Sequence, residues 1–292
     1  MGAPSVTSML IFTDSRCLEY ETVGHPERSF RVRDSERLLR ERHPDWEWPS
    51  FEPAVEADLA RAHMEGHLAR LRVAERFDSD TAYYDGIFEI ASLATGGSLA
   101  AMKAALAGEK AFSLMRPPGH HAEQDMAMGF CYLNHAAICA LAAQAEGISR
   151  VAVWDFDAHH GNGTEAILRT EPGTLYVSIH QHPCYPGTGL ESKGNCRNYP
   201  VAPEEDPDAH MAVLRKSWEE LLAFEPELVL VSAGFDAYEH DPITQMSLRI
   251  NDFRTLGQWL SETKIPTAAL LEGGYSEDLP ELVDTFLSGW SE

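Results

Sequence analysis

The sequence predicts a single α/β domain built on a parallel β-sheet, and three observations carry that expectation. Short apolar runs recur at residues 111–115, 151–156, 175–179, 228–232 and 267–271. Amphipathic helical patterns lie before and between them, at 90–107, 134–145, 210–223 and 252–263. Polar residues then crowd the end of each apolar run. Strands apolar on both faces and alternating with helices belong to a parallel sheet covered on both sides. Such sheets bind ligands beyond the carboxyl ends of their strands.

Taken in order, the first run leads into Arg116-Pro-Pro-Gly-His120-His121 and the second into Asp155-Phe-Asp157-Ala-His159-His160-Gly-Asn162. The third passes through Ser178, Ile179 and His180, the fourth reaches Ser232-Ala-Gly-Phe-Asp236, and the last ends in Glu272-Gly273-Gly-Tyr275. Five strand ends would deliver imidazoles, carboxylates and a phenol to one edge of the sheet.

A chain of 292 residues, 44% hydrophobic, can bury a large core, and no linker, repeat or low-complexity tract divides it. One domain is therefore expected over 1–292, with 1–8 set apart as a disordered or appended tail and Met9 as the natural start. The Pro- and acid-rich stretch 200–207 is expected to be a surface loop. A net charge of −23 argues against a nucleic-acid partner, whose phosphates need a basic face, and favours the approach of cations. No run approaches the ~18 apolar residues of a membrane span, so no membrane partner is expected. The N-terminus lacks the pattern of a secretory signal, and Val6 stands where myristoylation needs Ser or Thr. Five cysteines with no CxxC pair point to a reducing, cytoplasmic setting.

Asp155, Asp157 and His159 alternate along an extended segment and so share one side of it. Asp157 and His159, joined by Asp236, make a two-carboxylate, one-imidazole set. Three protein ligands leave the fourth position of a zinc ion open, the mark of a catalytic site. His120 and His121 supply imidazoles suited to proton transfer near neutrality. Gly273 lets backbone approach a ligand, and the Tyr275 phenol can donate to a developing oxyanion. Each feature also has an ordinary reading: Asp and His cap helices, His pairs sit in surface loops, and Gly-Gly makes turns. Their agreement at one sheet edge favours chemistry.

Together, RPPGHHA (116–122), GFCYLN (129–134), DFDAHHGNG (155–163), SIHQHPCYPGTG (178–189), SAGFDAYEHDP (232–242) and EGGY (272–275) resemble the zinc-dependent histone deacetylase superfamily, which includes acetylpolyamine amidohydrolases and acetoin-utilisation proteins. The resemblance runs from His25 to Tyr275 and leans to the class II and bacterial branches. It implies an arginase-like fold with a central parallel sheet of eight strands. It makes Asp157, His159 and Asp236 the ligands of one Zn2+ per chain, His121 the general base, His120 its electrostatic partner with Asp155, and Tyr275 the oxyanion donor. Gly129 and Phe130, with Tyr185 opposite, would wall a narrow channel, with Gly273 also facing substrate. Arg31 would line an internal acetate pocket, and Asp155, Asp157, His159, Ser178 and Ile179 a structural K+ site. The reaction implied is hydrolysis of an acetylated amine, either an acyl-lysine or a small molecule such as an acetylpolyamine.

Three departures from the family shape this expectation. Asn162 replaces the Asp that class I relatives place against the second histidine, and a neutral partner leaves His121 unprotonated to lower pH. No long insertion precedes residue 111, where polyamine-specific bacterial members carry one. Ile243 occupies the rim position at which some polyamine-selective relatives place a Glu. Behind the deacetylase reading stand a two-manganese ureohydrolase of the same fold and a non-catalytic acyl-lysine binder. Metal stoichiometry separates the first, and retention of Tyr275 and both histidines weighs against the second.

Overall fold

The computed structural model describes residues 9–73 and 77–292, so the expected tail at 1–8 lies outside the described residues. Its strands are β1 (Met9–Phe12), β2 (Lys110–Ser113), β3 (Val151–Asp155), β4 (Thr174–Gln181), β5 (Cys196–Val201), β6 (Leu228–Ala233) and β7 (Thr267–Leu271). Its helices are α1 (Phe30–Arg42), α2 (Glu56–Leu59), α3 (Glu65–Arg70), α4 (Ile87–Leu106), α5 (His135–Ala145), α6 (Asn162–Leu168), α7 (Pro207–Ala223), α8 (Ile250–Ser261) and α9 (Leu279–Ser291). Among the described residues the strands form one parallel sheet in the order β1-β2-β7-β6-β3-β4-β5. A single α/β domain results, as expected.

The central strands β3, β4, β6 and β7 are buried along their whole length, which is why they read as unbroken apolar runs. Helices cover both faces. The α4 helix packs on β1, β2 and β7, while α7 lies against β3, β4 and β5. Local chemistry sets the helix starts. Asn134 caps α5 by accepting from Ala137 N at 2.9 Å. Asp206 caps α7 through Asp208 N and Ala209 N, with Pro207 at the first helical turn, so α7 begins three residues before the apolar periodicity does.

Two expectations change at the sheet edges. Seven strands are present among the described residues where eight were expected. Outside β1, the backbone of Glu47 pairs with Met9 and Ile11 as an isolated bridge, so the position of a further strand is reduced to one residue. On the opposite edge, residues 200 and 201 complete β5, not a loop. Pro200, which lacks an N–H, is tolerated because β5 bonds to β4 alone.

The register aligns the strand ends. Asp155 on β3 sits beside Ser178 on β4 and Ser232 on β6, and Ser232 beside Leu270 on β7. Segments leaving these four strands therefore emerge side by side at the same edge, joined by the segment that follows β2.

Buried histidines give the fold a pH-sensitive component. His210 in α7 is buried, its Nδ1 has no hydrogen-bond partner among the described residues, and burial pushes its pKa down to about 4. Between the unfolded value near 6.5 and 4, the unfolded chain takes up a proton that the folded chain refuses, so this contribution to stability is lost as pH falls. Replacing His210 with Leu removes that linkage. Relative to wild type, the variant is expected to gain about 2 kcal/mol between pH 7 and pH 5. Urea unfolding of both proteins at the two pH values measures this, and a difference independent of pH would contradict it.

Candidate active site

Asp157 and His159 follow β3 and Asp236 follows β6, and their ligand atoms lie within 4.8 Å of one another, all three residues buried. His159 Nδ1 is 3.1 Å from Asp157 Oδ1 and 2.9 Å from Asp236 Oδ2. The remaining carboxylate oxygens are oriented by backbone: Ala158 N donates to Asp236 Oδ1 at 2.8 Å and Gly273 N to Asp157 Oδ2 at 2.7 Å. Gly273 is required here, since a Cβ on it would stand 2.3 Å from Asp236 Oδ2 and 2.5 Å from Asp157 Oδ2. It therefore sits directly against the two carboxylates.

The electrostatics of this trio call for positive charge. Burial and the charge of Asp157 push Asp236 up to about 7. Burial opposes ionisation of Asp157 too, but His120 and His159 hold it below the ordinary carboxylate range. His159 is raised above its usual value by Asp236 and Asp157 in spite of its burial. A pair of compressed carboxylates with one imidazole is a donor set that fits a divalent cation, zinc included.

The two histidines after β2 differ in their partners. His120 Nδ1 lies 3.1 Å from Asp155 Oδ2, and although burial opposes its charge, Asp157 and Asp155 raise it to about 10. His121 Nδ1 lies 2.8 Å from Asn162 Oδ1. Asn162 Nδ2 donates to Glu123 Oε1 at 2.7 Å, which leaves its oxygen to accept from His121 Nδ1–H. That bond sets the tautomer and leaves the Nε2 lone pair of His121 unprotonated. Burial first, then the charges of His120 and His159, keep His121 well below the usual imidazole range. The hydrogen bond to Asn162 acts the other way, raising His121 slightly, so burial and the two neighbouring imidazoles are what keep it neutral.

His121, His159 and Tyr275 line a cavity of about 320 Å³ whose walls include Phe130 and Tyr185. Gly129 at φ +56° and Phe130 at φ +69° both occupy the left-handed region. A non-glycine residue there is strained, a feature that clusters at binding sites. Thr81 Oγ1 accepts from Phe130 N at 3.0 Å and Asp78 Oδ2 from Gly129 N at 3.2 Å, which holds the turn. Tyr185 stands edge-on to His121, with ring centres 5.1 Å apart. Burial raises the Tyr275 phenol well above its usual value, so it stays protonated. Ile243 lines the same cavity, and so does the exposed Asp80, which adds a carboxylate that the sequence reading did not include.

Other expected residues have fuller partner sets than anticipated. Arg31 is buried behind Tyr275, its guanidinium 4.8 Å from the ring centre. It donates to Gly274 O at 2.7 Å, to Glu272 O, and to Glu27 Oε1 at 3.2 Å. Glu27 also pairs with Arg116, and the arginines hold its carboxyl at about 2 against its burial. Around the expected monovalent-cation residues, Asp155 accepts from Tyr176 Oη at 2.7 Å and Asp157 N at 3.2 Å, while Ser178 Oγ contacts His180 Nδ1 at 2.9 Å. Ile179 is buried beside them.

Four residues of the site were not singled out from the sequence: Asp80, Cys184, Asp241 and Glu272. Cys184 lines the cavity. Asp241 accepts from Tyr275 N at 2.8 Å and Ile243 N at 3.0 Å. Cys184, Asp241 and Glu272 each lie inside a motif noted in the sequence, at 178–189, 232–242 and 272–275, whereas Asp80 lies in none.

This fold, with buried imidazoles, carboxylates and a phenol converging on one cavity, is that of a hydrolytic enzyme. The chain belongs to the histone deacetylase family, whose domain matches residues 25–289. It is 39% identical over 250 residues to a histone deacetylase-like amidohydrolase of Pseudomonas aeruginosa, covering 78% of this chain and 66% of that one. It is 33% identical to a probable deacetylase of Archaeoglobus fulgidus, covering 91% and 81% of the two chains. The crystal structure of an acetylpolyamine aminohydrolase from Burkholderia pseudomallei superposes with a TM-score of 0.87 at 27% identity, over 97% of this chain and 98% of that one.

The tight approach at Gly273 makes it a test of the metal site. Gly273→Ala is expected to fold but to lose bound metal on gel filtration, as is Asp236→Ala, because two well-oriented ligands hold zinc poorly. Stoichiometric metal in both purified variants would refute the assignment.

Proposed function

We propose that this enzyme is a zinc-dependent deacetylase that hydrolyses N-acyl amides, with acyl-lysine as the preferred substrate class. The observation that carries the reading is the convergence of the Asp157–His159–Asp236 trio, His121 and Tyr275 on one cavity. A zinc ion held by the trio would supply Lewis acidity toward a water and the amide carbonyl. A potassium ion near Asp155, Ser178 and Ile179 rests on family resemblance alone.

The residues of the chain perform the rest. Phe130 and Tyr185 grip the aliphatic stem and exclude water from it. His121 Nε2 takes a proton from the attacking water as the new C–O bond forms. The Tyr275 hydroxyl donates to the carbonyl oxygen as it gains negative charge. The charge on His120, held by Asp155, favours a neutral His121 at the start and adds positive potential for the oxyanion. As the C–N bond breaks, a histidine returns the proton to the departing amine nitrogen, and the acid formed gives up its own proton to the amine, so that an ammonium and a carboxylate leave.

Turnover of an acetyl-lysine peptide by the zinc-loaded protein tests the activity. Tyr275→Phe should keep fold and metal but lose about two to three orders of magnitude in kcat, with little change in KM. A fully active Tyr275→Phe protein would remove the phenol from the mechanism.

Substrate choice turns on the rim. A polyamine brings a further ammonium against Ile243, whose apolar side chain offers no counter-charge, so partial loss of hydration there costs roughly 1–3 kcal/mol. Among the described residues, Asp80 is the one acid lining the cavity that could offset it. A lysine stem instead ends in backbone amides, whose N–H groups Asp80 can accept. Acyl-lysine peptides are therefore expected to exceed N-acetylputrescine and N-acetylspermidine in kcat/KM, and Ile243→Glu to narrow the gap. A clear wild-type preference for the acetylpolyamines would assign Asp80 to ammonium recognition and overturn the acyl-lysine reading.

A further inference from the structure

The segment from Arg116 to His121 is buried throughout yet belongs to no strand or helix, so its backbone N–H groups need acceptors from elsewhere. Two of them find the same one. Glu272 Oε2 accepts from Gly119 N at 2.7 Å and from His120 N at 3.1 Å. The other oxygen, Oε1, accepts from Ser232 Oγ at 3.0 Å. One fully buried carboxylate therefore ties the histidine segment, which follows β2, to the ends of β7 and β6. The next residue along, Gly273, donates its N–H to Asp157. Glu272 and Gly273 thus register the proton-transfer pair against a carboxylate of the metal trio through consecutive residues.

We infer that Glu272 is a positioning residue of the active site: its carboxylate, as a hydrogen-bond acceptor for Gly119 and His120, sets where the two imidazoles stand relative to the Asp157–His159–Asp236 trio. The inference rests on the proposed acid–base role of those histidines. It assigns the effect to acceptor geometry and not to charge. Both oxygens are engaged by neutral donors, two backbone N–H groups and one hydroxyl, so the contacts themselves call for acceptors and not for a counter-charge. A glutamine can keep the arrangement: its carbonyl oxygen replaces Oε2 and its amide donates to Ser232 Oγ. An aspartate keeps the charge, but its shorter side chain withdraws the acceptor from both N–H groups. Displacements of this kind, near 1 Å, cost about a hundredfold in rate when they move a catalytic group.

The test compares Glu272→Gln and Glu272→Asp in steady-state kinetics, with bound metal and thermal midpoint measured on the same preparations. Glu272→Gln is expected to retain kcat within about threefold, and Glu272→Asp to lose roughly 10- to 100-fold in kcat with KM and metal content little changed. In a His121→Ala background the Asp substitution should cost much less than in wild type, since its effect passes through the histidines. An active Glu272→Asp beside an inactive Glu272→Gln would make the role one of charge and overturn the inference. So would equal losses in the two backgrounds, which would mark a general structural effect. Full turnover by His121→Ala alone would instead remove the acid–base reading on which the inference rests.

Discussion

Two like charges pressed together in the interior are the constraint around which this molecule is arranged. Asp157 and Asp236 are both fully buried, and their carboxylates converge on one imidazole with no side chain between them and the last strand. Isolated, such a pair is unfavourable by several kcal/mol for each ion. The fold offsets it in three ways visible around the trio. Backbone N–H groups of Ala158, His159 and Gly273 donate to the carboxylates, His159 lies between them, and the charge of His120 is nearby. A divalent cation completes that list by its chemistry.

The same logic extends outward. Against its burial, His120 is held charged by Asp157, Asp155 and Glu272, and Asp155 is itself held by Tyr176. Behind Tyr275, Arg31 is tied to the carbonyls of Glu272 and Gly274, and Glu27 joins it to Arg116. Breaking one member of such a buried set leaves the others unpaired, which is far costlier than never having buried them. The loops at this edge, though irregular, are therefore tied by buried hydrogen bonds and ion pairs to the strands that feed them. A pre-organised site of this kind needs little rearrangement as charge develops on a substrate.

The sequence was most legible where burial on both faces imposes an unbroken apolar run. Strands β3, β6 and β7 and helices α4, α5, α7 and α8 follow from periodicity because the core leaves no choice of residue type. Edge strands were missed for the opposite reason. The mixed polarity of Cys196–Val201 comes from having one neighbour strand and one exposed flank, and Met9–Phe12 is too short for a period to show. Beyond β1 the described residues add only an isolated bridge at Glu47, a pairing that has no local signature.

By itself, the sequence determined the chemistry available: which donor atoms exist, that they follow apolar strands, and that the set matches a deacetylase. Those are local facts, written in motifs a few residues long. Only the tertiary structure decided how those groups are held. Gly273 leaves space for two carboxylates, which no local pattern shows, because the atoms it accommodates come from residues 157 and 236. Arg31 proved to be bound to backbone carbonyls at 272 and 274, and Glu272 to carry the histidine segment, because their partners lie more than 100 residues away along the chain. Asp80 reached the rim through a loop with no motif of its own. Hydrogen bonds and burial of this range depend on how the strands are ordered, β6 and β7 lying between β3 and β2, and no local pattern encodes that order.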